Sequence, residues 1–303
     1  TPRTHEPLFR GTWGEGGLNP YLFEMVNIRD QCSWVHMQER ERGTDKAKDL
    51  IRMGVAKAAL LEPQEPIQSQ MNPNALVIGG GISGMTAALA LANRGYETTL
   101  VEKSSQLGGL LLRLDKLAPS DMDAATFANQ QAELVKKHPK IHLLTSAEVD
   151  AVAGYIGHFN VFARTADGEE NFDVGVIVVA TGAQVLQPTG MYGYDGKTVI
   201  NQLELEERFK AGTFSAQNVV MIQCVGARNE ERKYCSRICC MVAIKNAIAI
   251  KERSPSTGVR ILYRDIQAYG MENEALFQKA KELGVLFIKY DPNRPPRVEP
   301  GKV

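Results

Sequence analysis

The chain has 303 residues with 35 basic and 35 acidic side chains, so no charge imbalance points to a nucleic acid or an anionic membrane. Hydrophobic residues make up 44% and charged residues 23%, values of a globular protein with ample core, and the length suggests about two domains. No long apolar run and no secretory leader is visible, so a cytoplasmic chain without a membrane span is expected, and an amino end that starts at Thr1 rather than Met is expected to have been trimmed.

Residues 1–70 read as a mostly helical amino-terminal segment and linker. Pro and Gly punctuate the first 20 residues, an amphipathic helix is predicted from about 44 to 61 with Thr44 or Asp45 as cap, and Pro63 stops it. Three prolines then mark the polar stretch 62–74 as a linker.

Residues 71–200 change pattern. ALVIGG (75–80) is a short buried strand ending in glycines, ISGMTAALALANRGY is a small-residue helix, and ETTLVEK is a second strand. Strand, glycine turn, helix and strand make a βαβ unit and predict a parallel sheet in an α/β fold. KIHLLTSAEV and FNVFARTADGEENFDVGVIVVATG read as further strands with a turn at Asp167-Gly168. From 201 to 303 the layout restarts: strand 218–225, helix from Cys239, strand 259–265, helix, strand 285–291. The predicted class is therefore α/β with two Rossmann-like domains.

Gly79, Gly81, Ile82, Ser83 and Gly84 lie in a G-x-G-x-x-G turn. The first glycine permits the turn, the second lets a pyrophosphate approach the backbone, and the third lets helix and strand pack; the phosphate rests on the helix amino terminus. Glu102 ends the next strand, 18 positions after Gly84, where a carboxylate accepts ribose hydroxyls, and Lys103 beside it is a candidate near the adenosine. Gly108-Gly109 and Ala180-Thr181-Gly182 complete a combination that resembles the two-dinucleotide-fold flavoproteins of thioredoxin-reductase type. That resemblance implies FAD rather than NAD in the first domain.

Related disulfide reductases carry a second glycine motif for NAD(P)H. Here the corresponding strand end reads Cys224-Val225-Gly226-Ala227-Arg228, and the glycines a phosphate cradle needs are missing. Of the five cysteines, Cys32 stands alone, and Cys224, Cys235, Cys239 and Cys240 fall within 17 positions. In a chain without a leader such clustering favours metal or redox chemistry over a disulfide framework. Cys224 would close a strand, and Cys235, Cys239 and Cys240 would share the start of the next helix, so that four thiolates converge as an iron–sulfur cluster requires. Zinc, a disulfide, a single nucleophilic thiol and inert core cysteines remain as rival readings.

The segments GLNPYLFEMVNIRDQCSWVH, LVIGGGISGM, QCVGARNEERKYCSRICC and ILYRDI closely resemble the A subunit of heterodisulfide reductase, and also the A subunit of quinone-interacting membrane-bound oxidoreductase complexes. The resemblance implies FAD, a [4Fe-4S] cluster on Cys224, Cys235, Cys239 and Cys240, and electron transfer among partner subunits in anaerobic metabolism; in some relatives the flavin bifurcates an electron pair. It also implies departures. The cysteine runs of many members are missing around 165–172 and after the glycine doublet, and the strand and helix that complete the FAD domain are expected beyond residue 303. Cys32, near Trp34 and His36, is as readily a packing residue as a ligand. The competing readings are a degenerate flavoprotein scaffold that binds partner subunits and an NAD(P)H:disulfide reductase.

Overall fold

The computed structural model describes residues 2–66 and 70–299 and divides the chain into two compact units, Thr1–Gln70 and Met71–Val303. No helix among the described residues is long and apolar enough to cross a membrane.

The first unit opens with a helix where the sequence predicts only Pro- and Gly-punctuated chain. Helix α1 (Pro2–Glu15) contains Pro7, which lacks the N–H for one rung of the ladder. Local polar contacts offset the loss: Arg10 reaches Glu6 at 2.7 Å and the Pro20 carbonyl at 3.1 Å, and the Trp13 indole donates to the Asn19 carbonyl at 3.2 Å. Helix α2 (Arg40–Ala58) starts four residues before its expected cap. Thr44 and Asp45 therefore lie inside it, Thr44 donating back to the Arg40 carbonyl at 2.8 Å and Asp45 pairing with Lys48 at 3.0 Å. Among the described residues of this unit only Cys32, Gly43 and Gly54 are buried. Cys32 lies in a wide π-type turn, Arg29–Trp34, and His36 faces Glu39 at 3.2 Å.

The second unit is built on two parallel sheets. In the first, β1 (Ala75–Ile78) lies between β2 (Thr98–Glu102) and β7 (Val176–Val179), with β3 (Ile141–Thr145) outside β2. All neighbours are parallel, Ala75 aligning with both Thr98 and Val176. Helices α3 (Ile82–Ala92) and α4 (Ala124–Lys137) pack on this sheet through a core of Val77, Met85, Ala88, Leu100, Ala132 and Val135. The apolar run of β1 is what a strand covered on both faces requires. A separate antiparallel meander joins β4 (Glu148–Tyr155), β5 (His158–Thr165) and β6 (Gly168–Val174), and Gly168, at φ +135°, makes the expected turn.

The second parallel sheet has the order β10 (Leu286–Lys289), β9 (Gly258–Tyr263), β8 (Asn218–Ile222), with α5 (Gln202–Lys210), α6 (Cys239–Arg253) and α7 (Met271–Glu282) packed around it. Its core is aliphatic: Met221, Ile244, Ile250, Val259 and Ile261 are all buried. Strand β8 ends at Ile222, so Cys224 lies beyond the strand, and α6 begins at Cys239, so Cys235 precedes the helix. The expectation that Cys235 shares the start of this helix with Cys239 and Cys240 is corrected accordingly.

A polar seam joins α5 and α6 to the segment that follows the glycine doublet. Glu206 is 1% exposed; one carboxylate oxygen accepts the Asp115 N–H at 3.0 Å and the other is ion-paired with Lys245, without the alignment of a hydrogen bond. Lys245 also donates to the Lys116 carbonyl at 2.9 Å, and Arg253 meets Asp115 at 2.5 Å. A cavity of about 310 Å³ opens beside these groups. The helix that starts with the thiols is thereby tied along its length to the chain leaving the first glycine-rich site.

Candidate functional site

The glycine turn, Glu102, the glycine doublet and Ala180-Thr181 meet at the carboxyl edge of the first sheet. Gly79 has φ +107°, and a Cβ there would lie 2.4 Å from the Ala180 carbonyl oxygen. At Gly84 a Cβ would stand 1.8 Å from the Gly79 carbonyl oxygen, so only glycine lets α3 approach the turn. Gly81 differs from both: a Cβ there would meet nothing within 4 Å. The backbone at Gly81 faces open space at the start of a helix that no side chain caps, where N–H groups and the helix dipole favour an anion. Gly108 donates to the Gly80 carbonyl at 2.9 Å, bringing the doublet against this rim. Ser83, Lys103, Gly109, Thr181 and Gly182 are exposed, and Ile82 and Ala180 are half-buried. The gap above Gly81 and the uncapped helix fit the pyrophosphate of a dinucleotide such as FAD.

Glu102 has a task that its spacing did not reveal. It is 8% exposed; Oε2 accepts the Gly80 N–H at 2.6 Å and Oε1 accepts the Ser104 N–H at 2.7 Å. One acceptor position on each oxygen is thus already filled by backbone, and any ribose contact would use the second lone pairs. The carboxylate is a clamp on the glycine turn before it is a ligand contact.

In the second sheet the β8–α6 connection occupies the corresponding place, and thiols stand where the glycines would be. The loop is wound tightly: Cys224, Arg228 and Arg237 have φ of +62°, +55° and +63°. Such backbone is costly for residues with a Cβ and is found where surrounding contacts over-determine it. Cys239 and Cys240 lie in the first turn of α6, and Cys240 Sγ is 3.6 Å from the Asp265 carbonyl oxygen. Cys235 sits in the loop before them, its sulfur accepting the Arg237 N–H at 3.4 Å.

Cys224, Cys239 and Cys240 act on one another electrostatically. The pKa of the Cys239 thiol is lowered to about 6, chiefly by the hydrogen bond from Cys240 and then by Ser236 and backbone N–H groups, against the opposing effect of burial. The same bond, together with burial, pushes the Cys240 thiol far up. Burial raises Cys224, the charge of Cys239 adds to that, and Arg228 and Arg264 oppose it. Tyr290, pushed up to about 12 mainly by burial, donates to the Gln223 carbonyl at 2.8 Å beside Cys224. Three of the four expected thiols are therefore brought together, and Cys235 stands on the adjoining loop.

Among the described residues no three His, Cys, Asp or Glu side chains surround a single-ion position. An iron–sulfur cluster, unlike one ion, fills the space between its thiolates with its own iron and sulfide. The all-thiol donor set, the amino end of α6 and the adjacent guanidiniums of Arg228 and Arg264, whose Nε is buried without a partner, fit the chemistry of such a cluster. Arg228, Asp265 and Tyr290 were not singled out by sequence pattern. Asp265 had a signal available, because it follows β9 much as Glu102 ends β2, each strand being the second of its sheet.

Residues 73–223 match the family described as Pyridine nucleotide-disulphide oxidoreductase. The chain is 36% identical to the second iron-sulfur A subunit of the CoB--CoM heterodisulfide reductase of Methanopyrus kandleri, covering 96% of this chain and 59% of that one. It is 35% identical, with the same coverage of each, to the A subunit of the H(2):CoB-CoM heterodisulfide,ferredoxin reductase of Methanothermobacter marburgensis. A thioredoxin reductase from T. acidophilum is similar over 71% of this chain and 63% of that one, with 17% identity and a TM-score of 0.45. The chain thus spans about three-fifths of the length of the two curated relatives. With the glycine site, the thiol loop and this identity across nearly its whole length, the chain is a relative of the heterodisulfide reductase A subunits.

Proposed function

We propose that the chain is an electron-transfer flavoprotein, an oxidoreductase subunit of heterodisulfide reductase A type that works in the cytoplasm inside a multisubunit complex. FAD would be held along Gly79, Gly81, Ile82, Ser83, Gly84, Gly108, Gly109, Ala180, Thr181 and Gly182, with Glu102 bracing the turn and Lys103 at the adenosine end. Cys224, Cys235, Cys239 and Cys240 would hold a [4Fe-4S] cluster. When bound, FAD exchanges electrons singly or in pairs and the cluster passes them one at a time. The residues of the chain supply placement: the Gly81 rim and α3 receive the pyrophosphate, and the thiol loop and α6 present sulfur ligands. Its partners would be the other subunits of a heterodisulfide-reductase-like or quinone-linked redox complex.

The observation that carries this reading is the substitution at one topological position. The first strand-to-helix connection of one sheet is an open glycine rim, and that of the other is a wound loop of thiols and arginines. Anaerobic reconstitution followed by flavin, iron and sulfide quantitation tests it: about one FAD and about four iron atoms per chain are expected.

A scaffold that binds partner subunits without working cofactors is the second reading, favoured by the position of Cys235 in the loop before α6 rather than on it. A colourless preparation releasing no flavin on denaturation decides for it. For an NAD(P)H:disulfide reductase, mixing with NADPH would bleach the flavin; no bleaching is expected, because the second loop has no glycine cradle.

A further inference from the structure

We infer that Arg228, held by Asp265, is the positioning residue that sets the reduction potential of the thiol-held centre; the inference rests on the iron–sulfur reading above. Arg228 has φ +55°, a conformation an arginine adopts only under constraint. The constraint is visible along both its backbone and its side chain. Its N–H donates to the Tyr234 carbonyl at 3.2 Å, its carbonyl accepts from Arg264 at 2.9 Å, and Nη2 donates to Asp265 Oδ2 at 2.7 Å. The remaining arm, Nη1, points at Cys224 Sγ from 4.0 Å.

Asp265 ties the arrangement together. Its carboxylate fixes the guanidinium on Cys224, and its backbone carbonyl oxygen lies 3.6 Å from Cys240 Sγ. A single residue just beyond β9 therefore registers the thiol beyond β8 with the thiol on α6. Lys289 also approaches Asp265, at 4.0 Å, through the other carboxylate oxygen, Oδ1.

A cation hydrogen-bonded to a ligand sulfur stabilises the more negative, reduced state of the centre and raises its potential. The planar fork holds separate, spaced donors on the carboxylate and the sulfur in one fixed geometry, which the compact ammonium of lysine does not reproduce. Arg228→Gln removes the charge, Arg228→Lys keeps it without the fork, and Lys289→Ala removes an equal charge from the opposite oxygen of Asp265.

The test is a dithionite titration of the anaerobically reconstituted protein, followed by electron paramagnetic resonance, with iron and sulfide measured first in every sample. R228Q is expected to be about tenfold harder to reduce, which for a one-electron couple is about 59 mV more negative. R228K is expected to shift in the same direction by less, and K289A to match the wild type. Equal iron with coincident midpoints in wild type, R228Q and R228K overturns the inference and leaves the cluster reading standing. A wild type that takes up no iron overturns both, and that result is read before any potential. If R228Q holds no iron, R228K decides: a midpoint equal to that of the wild type overturns the inference.

Discussion

The Gly80 N–H donates to Glu102 Oε2 at 2.6 Å, joining the middle of the glycine turn to the end of the neighbouring strand. The second oxygen takes the Ser104 N–H, so one buried carboxylate sets both the turn and the chain leaving β2. Glu102→Ala would strand the Gly80 N–H in a buried setting. A loss of about 1–3 kcal/mol is expected in urea unfolding, with weaker FAD retention. A variant as stable as the wild type would show that the clamp contributes nothing.

Alanine at two glycines of the same motif separates packing from ligand approach. Gly84→Ala places a Cβ 1.8 Å from the Gly79 carbonyl oxygen and should cost at least about 1–3 kcal/mol through overpacking. Gly81→Ala meets nothing within 4 Å, so circular dichroism and melting should be unchanged while flavin content falls. Full flavin retention in G81A would remove the Gly81 rim from the proposed pyrophosphate site.

Breaking the seam through Glu206 should be expensive. Its carboxylate is 1% exposed and Lys245 is its ion partner, so Glu206→Ala leaves a largely buried ammonium without its counter-charge. A destabilisation of about 3–5 kcal/mol is expected. Replacing both partners with apolar residues of similar volume should recover much of that loss, and chemical denaturation of the two variants provides the comparison. Equal stability of the single and double variants would mean that the pair is not coupled.

In iron-free protein, the thiol pair on α6 should titrate unusually. Cys239 is lowered from 9.0 to about 6, so its thiolate is present at neutral pH and is lost as pH falls through about 6. Because the pKa of this acid is depressed on folding, its contribution to stability is complete above about pH 9 and disappears as pH falls toward 6 and below. Alkylation by iodoacetamide should therefore label Cys239 first, with a rate that halves near pH 6. A midpoint near 9 would show that Cys240 does not donate to it.

The parts of the protein legible in its sequence were those with a period or a fixed spacing. Apolar runs broken by glycine marked β1, β2 and β7, and G-x-G-x-x-G marked the turn, because a backbone that must approach a neighbour within the reach of a Cβ admits only glycine. Helix α1 was hidden because Pro7 argues against it locally, and the contacts of Arg10 and Trp13 that hold it are made only once the chain has turned back.

Residue order was enough to specify an α/β fold with two parallel sheets, the glycine turn between β1 and α3 and the grouping of four cysteines between β8 and the start of α6. What those residues touch was settled by tertiary packing. Glu102 became a clamp because β1 and β2 are parallel neighbours that set its carboxylate under Gly80. Cys235 parted from Cys239 because α6 begins four residues later than Cys235. Arg228 came to Cys224 because Asp265, 37 positions further on, holds its guanidinium from just beyond the adjacent strand. Spacing along a chain fixes which residues share an element, and contacts between elements form only when the sheets that carry them are built.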